Sequence, residues 1–92
     1  MKFSWDEQKN RINIRKHGID LNDVCEMFDN PMLVKLDDRY TYAEERWIGV
    51  GMLLGIVAVV VYTERVNDII RIISARKATK REVKGYAEAI KN

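Results

Sequence analysis

A run of residues without a single charge, WIGVGMLLGIVAVVVYT at positions 47–63, constrains the fold of this chain more than any other feature. A membrane-spanning helix needs about 20 apolar residues. Three glycines interrupt this shorter run, and a β-branched cluster closes it, so a membrane-bound peptide is the more remote interpretation. We predict a hairpin of two strands, at about 46–52 and 56–63, with a tight turn around Leu54.

The remaining composition is that of one small globular domain spanning residues 1–92. The single cysteine, Cys25, excludes an internal disulfide, and the first residues, MKFSWDEQKN, lack the apolar core of a signal peptide. These features predict a reducing, cytoplasmic setting without a membrane anchor.

Two short helices are predicted before the hairpin. Ser4 and Glu7 have the spacing of a capping box, and Gly18 favours a left-handed stop, so the first helix should span about Asp6 to His17. Asp20 is placed to cap the second helix, which ends at the sequence Asp-Asn-Pro. A strand from Met32 to Leu36 and a turn at residues 37–39 follow.

A strand and a helix are predicted after the hairpin. In the strand, residues 69–75, a period of two would place Ile70, Ile72 and Ser74 on one face and Arg71 on the other, between isoleucines. Thr79 and Glu82 form a second capping box. The helix that they open, at about 79–91, has a helical apolar stripe that should be buried: Val83, Tyr86, Ala87 and Ile90.

With a short β segment at the start of the chain, this order of elements predicts an α+β fold, with a mainly antiparallel sheet of about four strands packed with two N-terminal helices and one C-terminal helix. Zinc-ligand spacings, glycine-rich phosphate loops and nucleophile elbows are absent from the sequence, so we expect neither a metal nor a cofactor.

The charged residues are distributed unevenly along the chain. Residues 65–92 hold eight Lys and Arg against three Asp and Glu, whereas residues 1–64 hold eight against eleven. A local cluster of cations attracts a polyanion such as nucleic acid. The alternative is that these basic residues only form the solvated face of a helix. Basic residues in a first helical turn oppose the helix dipole, which suits a surface that binds phosphate. Because the ends of neighbouring antiparallel strands lie together, we expect one patch to gather Arg46, Arg65, Arg71, Arg76 and Lys77. Lys80 and Arg81 follow in the first turn of the predicted helix.

Several blocks of the sequence together resemble one family. These are FSWDEQKN near the start, KHGI, MFDNP, RWIGVG in the middle, and VVVYTERVNDIIRIISARKATKREVKGY, of which RIISARKA running into KREVKGY is the most specific. In this order they resemble the BrnT toxins of type II toxin-antitoxin modules, over nearly the whole chain.

The resemblance implies a RelE-like fold and a ribonuclease that cuts RNA and arrests translation. It also implies a cognate antitoxin, usually a ribbon-helix-helix DNA-binding protein (BrnA-like), in a hetero-oligomeric complex that neutralises the toxin. The positions that match the family blocks are His17, Arg46, Arg65, Arg71, Ser74, Arg76 and Lys77. The hairpin tip, GMLLGIV, is more apolar than this family leads us to expect, which suggests that a partner covers it.

Cleavage of RNA through its 2′-hydroxyl needs a proton acceptor, a cationic clamp and a proton donor, and no metal. We assign the clamp to Arg71 and Arg76, and RNA binding to Lys77, Arg46, Arg65, Lys80 and Arg81. His17 is the candidate acid or base, with Tyr62 or Glu64 as alternatives, although an imidazole at a helix C-terminus also has a purely structural use. The competing hypothesis is a non-catalytic module whose basic surface binds nucleic acid or an acidic protein.

Overall fold

The computed structural model describes residues 1–91 and contains a five-stranded sheet with three α-helices. The strands are β1 (Lys2–Ser4), β2 (Leu33–Leu36), β3 (Trp47–Leu53), β4 (Ile56–Arg65) and β5 (Ile69–Lys77). The helices are α1 (Glu7–His17), α2 (Leu21–Val24) and α3 (Lys80–Lys91), with a 3₁₀ segment, Cys25–Asp29, directly after α2. No helix within the described residues is long and apolar enough to cross a bilayer.

The sheet has the strand order β1-β5-β4-β3-β2 and is mixed rather than purely antiparallel. β1 pairs with β5 in parallel, through Lys2–Ile69 to Ser4–Arg71, while the other three pairings are antiparallel. The expectation of an α+β fold is therefore confirmed, and the expected count of about four strands is corrected to five. Strand β1 is the short β segment expected at the start of the chain, and it joins the sheet as the fifth strand by pairing with β5.

The predicted hairpin is confirmed, with β3 and β4 joined at Leu54 and Gly55. Both turn residues have positive φ angles, 47° and 84°, as a two-residue type I′ turn requires. On β3, a Cβ atom at Gly51 would lie 2.8 Å from the Met32 side chain. This glycine therefore lets Met32 approach the strand closely, besides interrupting the apolar run.

A β-bulge in β5 changes which residues share a face. Val61 pairs with Ser74 but the next residue, Tyr62, pairs with Ile72, so Ile73 is an extra residue on β5. The prediction from simple alternation, which placed Ser74 with Ile72, is therefore wrong beyond the bulge. The register instead puts Arg71, Ser74 and Arg76 on one face of the sheet.

We call this the outer face; it also carries Ile48, Val50, Val59, Val61 and Thr63. The opposite, core face packs against α2, the 3₁₀ segment and the residues that flank them. Its side chains belong to the main apolar cluster of Ile19, Leu21, Val24, Met27, Leu53, Ala58, Val60, Tyr62, Ile70, Ile72 and Ala75.

Helix α1 is held by polar rather than apolar contacts, because its two buried residues are Asn10 and Asn13. The Asn13 amide donates to the Ile19 carbonyl at 2.9 Å and accepts from the Ala75 N–H at 3.1 Å. Asn10 contacts the start of α2 in the same way, donating to the Asp20 carboxylate and accepting from the Leu21 N–H. The cap of α1 is Asp6, which accepts from the Lys9 N–H, so the expected Ser4–Glu7 capping box is wrong.

Helix α3 begins with the predicted capping box. The Thr79 N–H donates to Glu82 at 2.8 Å, and the Glu82 N–H donates to the Thr79 hydroxyl at 3.2 Å. The predicted burial of its apolar stripe is wrong except at Tyr86, because Val83, Ala87 and Ile90 are exposed. Periodicity reports that a helix has an apolar face but not that something covers it.

Candidate active-site groove

A groove crosses the outer face of the sheet and ends in a narrower recess. The groove encloses about 440 Å³ and includes Lys35, Arg39, Ile48, Val50, Arg76, Glu82, Gly85 and Tyr86 among its lining residues. The recess encloses about 110 Å³ and is lined by His17, Arg39, Ile48, Val59, Val61, Ser74, Ala75 and Arg76. We call the two together the arginine groove, because Arg39 and Arg76 line both parts.

Arg76 is fixed in the arginine groove by Glu82. Its two terminal nitrogens donate to the two carboxylate oxygens of Glu82 at 2.7 Å and 3.0 Å, the bidentate geometry of a strong ion pair. The same carboxylate accepts from the Thr79 N–H, so the capping box and the ion pair share one side chain. The hydrogen bonds from Arg76 lower the pKa of Glu82 to about 2.

Arg39 is held on the other side of the arginine groove by a buried carboxylate. Asp37 accepts from the Nε atom of Arg39 at 2.8 Å and from a terminal nitrogen at 3.0 Å, and it also accepts from the Tyr42 hydroxyl at 3.1 Å. These bonds from Arg39 hold the pKa of Asp37 well below its usual range. Two guanidiniums, each anchored by its own carboxylate, thus face one cavity.

The recess brings an imidazole to the same cavity. His17 is the last residue of α1, and Gly18 follows in the left-handed conformation at φ 69°, which ends the helix as predicted. Ser74 lines the recess with His17, and it does so because the bulge turned its side chain to the outer face. The recess therefore combines a hydroxyl, an imidazole and two guanidiniums over an apolar floor.

The other predicted site residues lie around the groove rather than in it. Arg71 is on the outer face beside Thr63 and does not line the arginine groove. The hydrogen bond from the Lys9 N–H is the main cause that lowers the pKa of Asp6, and the positive charge of Arg71 adds to it. Its pairing partner on β4 lies four residues from that of Arg76, so the two arginines are about 13 Å apart along the strand.

Arg65 and Arg46 lie at the same end of the sheet as Arg71. Arg65 pairs with Glu44 at 3.1 Å on the surface. The Arg46 guanidinium lies 4.2 Å above the centre of the Tyr42 ring, and its Nε atom is buried without a hydrogen-bond partner in residues 1–91. Arg76 lies toward the other end of β5, so the cations that we expected to meet at one patch are divided between the two ends of the sheet.

Lys77, Lys80 and Arg81 are exposed outside the arginine groove. The register turns Lys77 toward the core-face side of the sheet, and the other two lie in the first turn of α3. Tyr62 packs in the core, with its ring 4.9 Å from that of Phe28, so it lies on the side of the sheet away from the groove. Glu64 is exposed at the end of β4.

Arg39 is the groove residue that sequence reasoning missed. The residues Asp-Asp-Arg at positions 37–39 are typical of a turn, and a turn after a strand does not indicate which surface the Arg39 side chain faces. The signal that was available is its spacing from Asp37, since an acid and a base two residues apart can form a local bidentate pair. No three His, Cys, Asp or Glu side chains in residues 1–91 are grouped to hold a metal ion.

Two comparisons with known proteins gave a match. A family model described as the ribonuclease toxin BrnT of a type II toxin-antitoxin system matches residues 5–82. The crystal structure of the Brucella abortus ribonuclease toxin BrnT is similar to this fold with a TM-score of 0.67. The two are 33% identical, and the similarity covers 87% of this chain and 99% of that one. Curated protein sequences gave no match.

Proposed function

Because the chain belongs to the BrnT family of ribonuclease toxins of type II toxin-antitoxin systems, we propose that it cleaves RNA in the arginine groove, without a metal, and so inhibits translation in the cytoplasm. The observation that carries this proposal is the convergence of Arg39, Arg76 and His17 on one cavity. A cognate antitoxin, of the ribbon-helix-helix type in this proposal, neutralises the activity.

The chemistry is attack of a ribose 2′-hydroxyl on the adjacent phosphorus. The bond from the 2′ oxygen to phosphorus forms, the bond from phosphorus to the 5′ oxygen breaks, and the proton of the hydroxyl must leave while the 5′ oxygen gains one. The extra negative charge on the pentacovalent phosphorus needs cationic donors that are already in position. Arg76 and Arg39 supply them, because their carboxylate partners hold each guanidinium in place before RNA binds.

His17 carries one of the two proton transfers in this mechanism and water carries the other, since an imidazole exchanges protons near neutral pH more readily than other side chains do. Ser74, which shares the recess, is placed to hydrogen-bond the ribose or a phosphate oxygen. Arg71 lies along the same face, too far from Arg76 for both to contact the scissile phosphate, so in this mechanism it binds another phosphate of the same RNA strand. Arg46 and Arg65 extend this track, and Lys77, Lys80 and Arg81 contribute long-range attraction.

Incubation of the purified protein with labelled RNA in the presence of EDTA tests the proposal. The wild-type protein should cut, and Arg76→Ala should lower the rate by about a hundredfold or more, the usual effect of losing one donor to a transition-state anion. Arg11→Ala is the matched control, because Arg11 is exposed on α1 and does not line the groove. Circular dichroism should show that both variants are folded.

The competing hypothesis, a basic module that binds without cutting, predicts a different result. RNA would then be retained by the protein without cleavage products, and Arg76→Ala would weaken retention. Cleavage that EDTA abolishes would contradict the metal-free mechanism while leaving the nuclease assignment intact.

A further inference from the structure

Strand β2 is an open edge of the sheet with exposed apolar residues. Its only neighbour among residues 1–91 is β3, so the backbone groups along its outer side have no strand to pair with. Val34 and Leu36 are 48% and 44% exposed, although the register directs both to the core-face side. Proteins usually protect such an edge, because it is a template for pairing with another chain.

The other side of β2 forms part of the arginine groove. Leu33 and Lys35 point to the outer face, opposite Val50 and Ile48, and both line the groove, as does part of Val34 between them. The charged lining residues are Lys35, Arg39, Arg76 and Glu82, so this part of the surface carries an excess of positive charge. An added strand would therefore meet an apolar surface on one side and a cationic surface on the other.

We propose that the outer edge of β2 receives an extended segment of a protein partner in which apolar and acidic residues alternate. The alternation follows from the pleat, because successive side chains of an added strand point to opposite faces. Its apolar side chains would cover Val34 and Leu36, and its carboxylates would lie next to Lys35 and extend toward Arg39. The segment needs roughly the length of β2, which has four residues.

This inference rests on the proposed function, in which a protein antitoxin controls the nuclease, and it specifies how the control acts. A carboxylate beside Lys35 competes with RNA phosphate for the cations of the groove. Inhibition would therefore not require the partner to fill the recess at His17. The chemistry of the two sides of β2 favours this occupant over RNA. A strand with acidic and apolar residues matches both the cationic side and the apolar side, whereas an RNA strand matches only the cationic side.

A synthetic peptide of alternating valine and glutamate is the probe for this edge. NMR titration of the full chain should shift the amide signals of residues 33–36, and the peptide should inhibit RNA cleavage. Leu36→Gln should weaken peptide binding about tenfold, a typical effect of removing an apolar interface contact. This variant should still cleave RNA at the wild-type rate. Leu54→Gln, at the exposed hairpin tip, is the matched control and should bind the peptide as the wild type does.

Chemical variants of the peptide test strand pairing itself. N-methylation of alternate amides should abolish binding when the methyl groups lie on the edge that faces β2, and should have little effect when they lie on the other edge. Equal binding of the two methylated peptides would overturn the proposal, as would equal binding of a valine–lysine peptide.

Three further outcomes would overturn it as well: no binding of the valine–glutamate peptide, amide shifts confined to the hairpin tip, or a concentration-dependent dimer of the chain that Leu36→Gln abolishes. The NMR titration needs no RNA, so it tests strand addition independently of cleavage. A chain that binds the peptide at β2 but does not cleave RNA would contradict the proposed function and support the proposed strand addition.

Discussion

The two asparagines buried in α1 show how single residues position this site. Asn13 connects the end of α1 to β5 through its hydrogen bonds with Ile19 and Ala75, and it lies one helical turn before His17. The imidazole of the recess is thus placed by a buried amide rather than by an apolar stripe. Sequence analysis could not identify Ala75 as a partner of Asn13, because the two residues are far apart in sequence.

Asn13→Ala should therefore destabilise the fold. The change leaves the Ala75 N–H and the Ile19 carbonyl buried without partners, and we expect a loss of about 2 kcal/mol in the free energy of unfolding. Urea denaturation measures this loss. Asn22→Ala, at an exposed position of α2, is the control and should change the value by less than about 0.5 kcal/mol. Equal effects of the two substitutions would contradict the structural role of Asn13.

Two glycines should respond in opposite directions to substitution by alanine. A Cβ at Gly85 in α3 would have no atom within 4 Å outside its own helix, so Gly85→Ala should stabilise the protein by up to about 1 kcal/mol. A Cβ at Gly51 would lie 2.8 Å from Met32, so Gly51→Ala should destabilise it. Thermal unfolding should show a higher midpoint for the first variant and a lower one for the second; the reverse order would contradict the packing described.

At the scale of elements, the bidentate pair of Arg76 and Glu82 joins β5 to α3. The lowered pKa of Glu82, about 2 against an ordinary value of 4.5, means that the folded state favours the ionised carboxylate. Its contribution to stability is therefore fully present above about pH 4.5 and is lost as the pH falls toward 2. Because the side chains of Arg76 and Glu82 are 41% and 30% exposed, solvent screening reduces that contribution to about 1 kcal/mol.

Glu82→Gln should lower the free energy of unfolding by about that amount at pH 7, and the difference from the wild type should shrink toward pH 2. Chemical denaturation at several pH values measures it. The control is Glu26→Gln, at an exposed position of the 3₁₀ segment, which should show no such pH-dependent difference. Glu88 is a poorer choice of control because it makes an interaction of its own. A Glu82→Gln effect that is the same at pH 7 and pH 2 would contradict the ion pair as its cause.

The elements also show what a sequence can predict of this fold. The β3–β4 hairpin, the two capped helix starts at Asp20 and Thr79, and the helix stop at Gly18 each depend on local chemistry, and the structure contains them all. The parallel pairing of β1, the bulge at Ile73 and the uncovered stripe of α3 depend on what each segment meets in space. Periodicity in one segment carries no information on its partner.

At the scale of the whole molecule, the bulge decides where the chemistry lies. With regular alternation, Arg71 and Arg76 would project from opposite faces, whereas one extra residue places both on the outer face with Ser74. Sequence analysis assigned Arg76 and His17 to catalysis but did not predict how they meet, and the recess that brings them together is formed by the bulge, the end of α1 and the Arg39 segment. The central claim is that RNA occupies this groove.

NMR mapping of the wild-type chain with an RNA that carries 2′-O-methyl groups, and so cannot be cleaved through its 2′-hydroxyl, tests that claim most directly. The account predicts amide shifts at Ile48, Val59 and residues 74–76, with smaller changes near Arg71 and little change in α2. Shifts concentrated on α2 and the 3₁₀ segment, with the outer face unaffected, would contradict it.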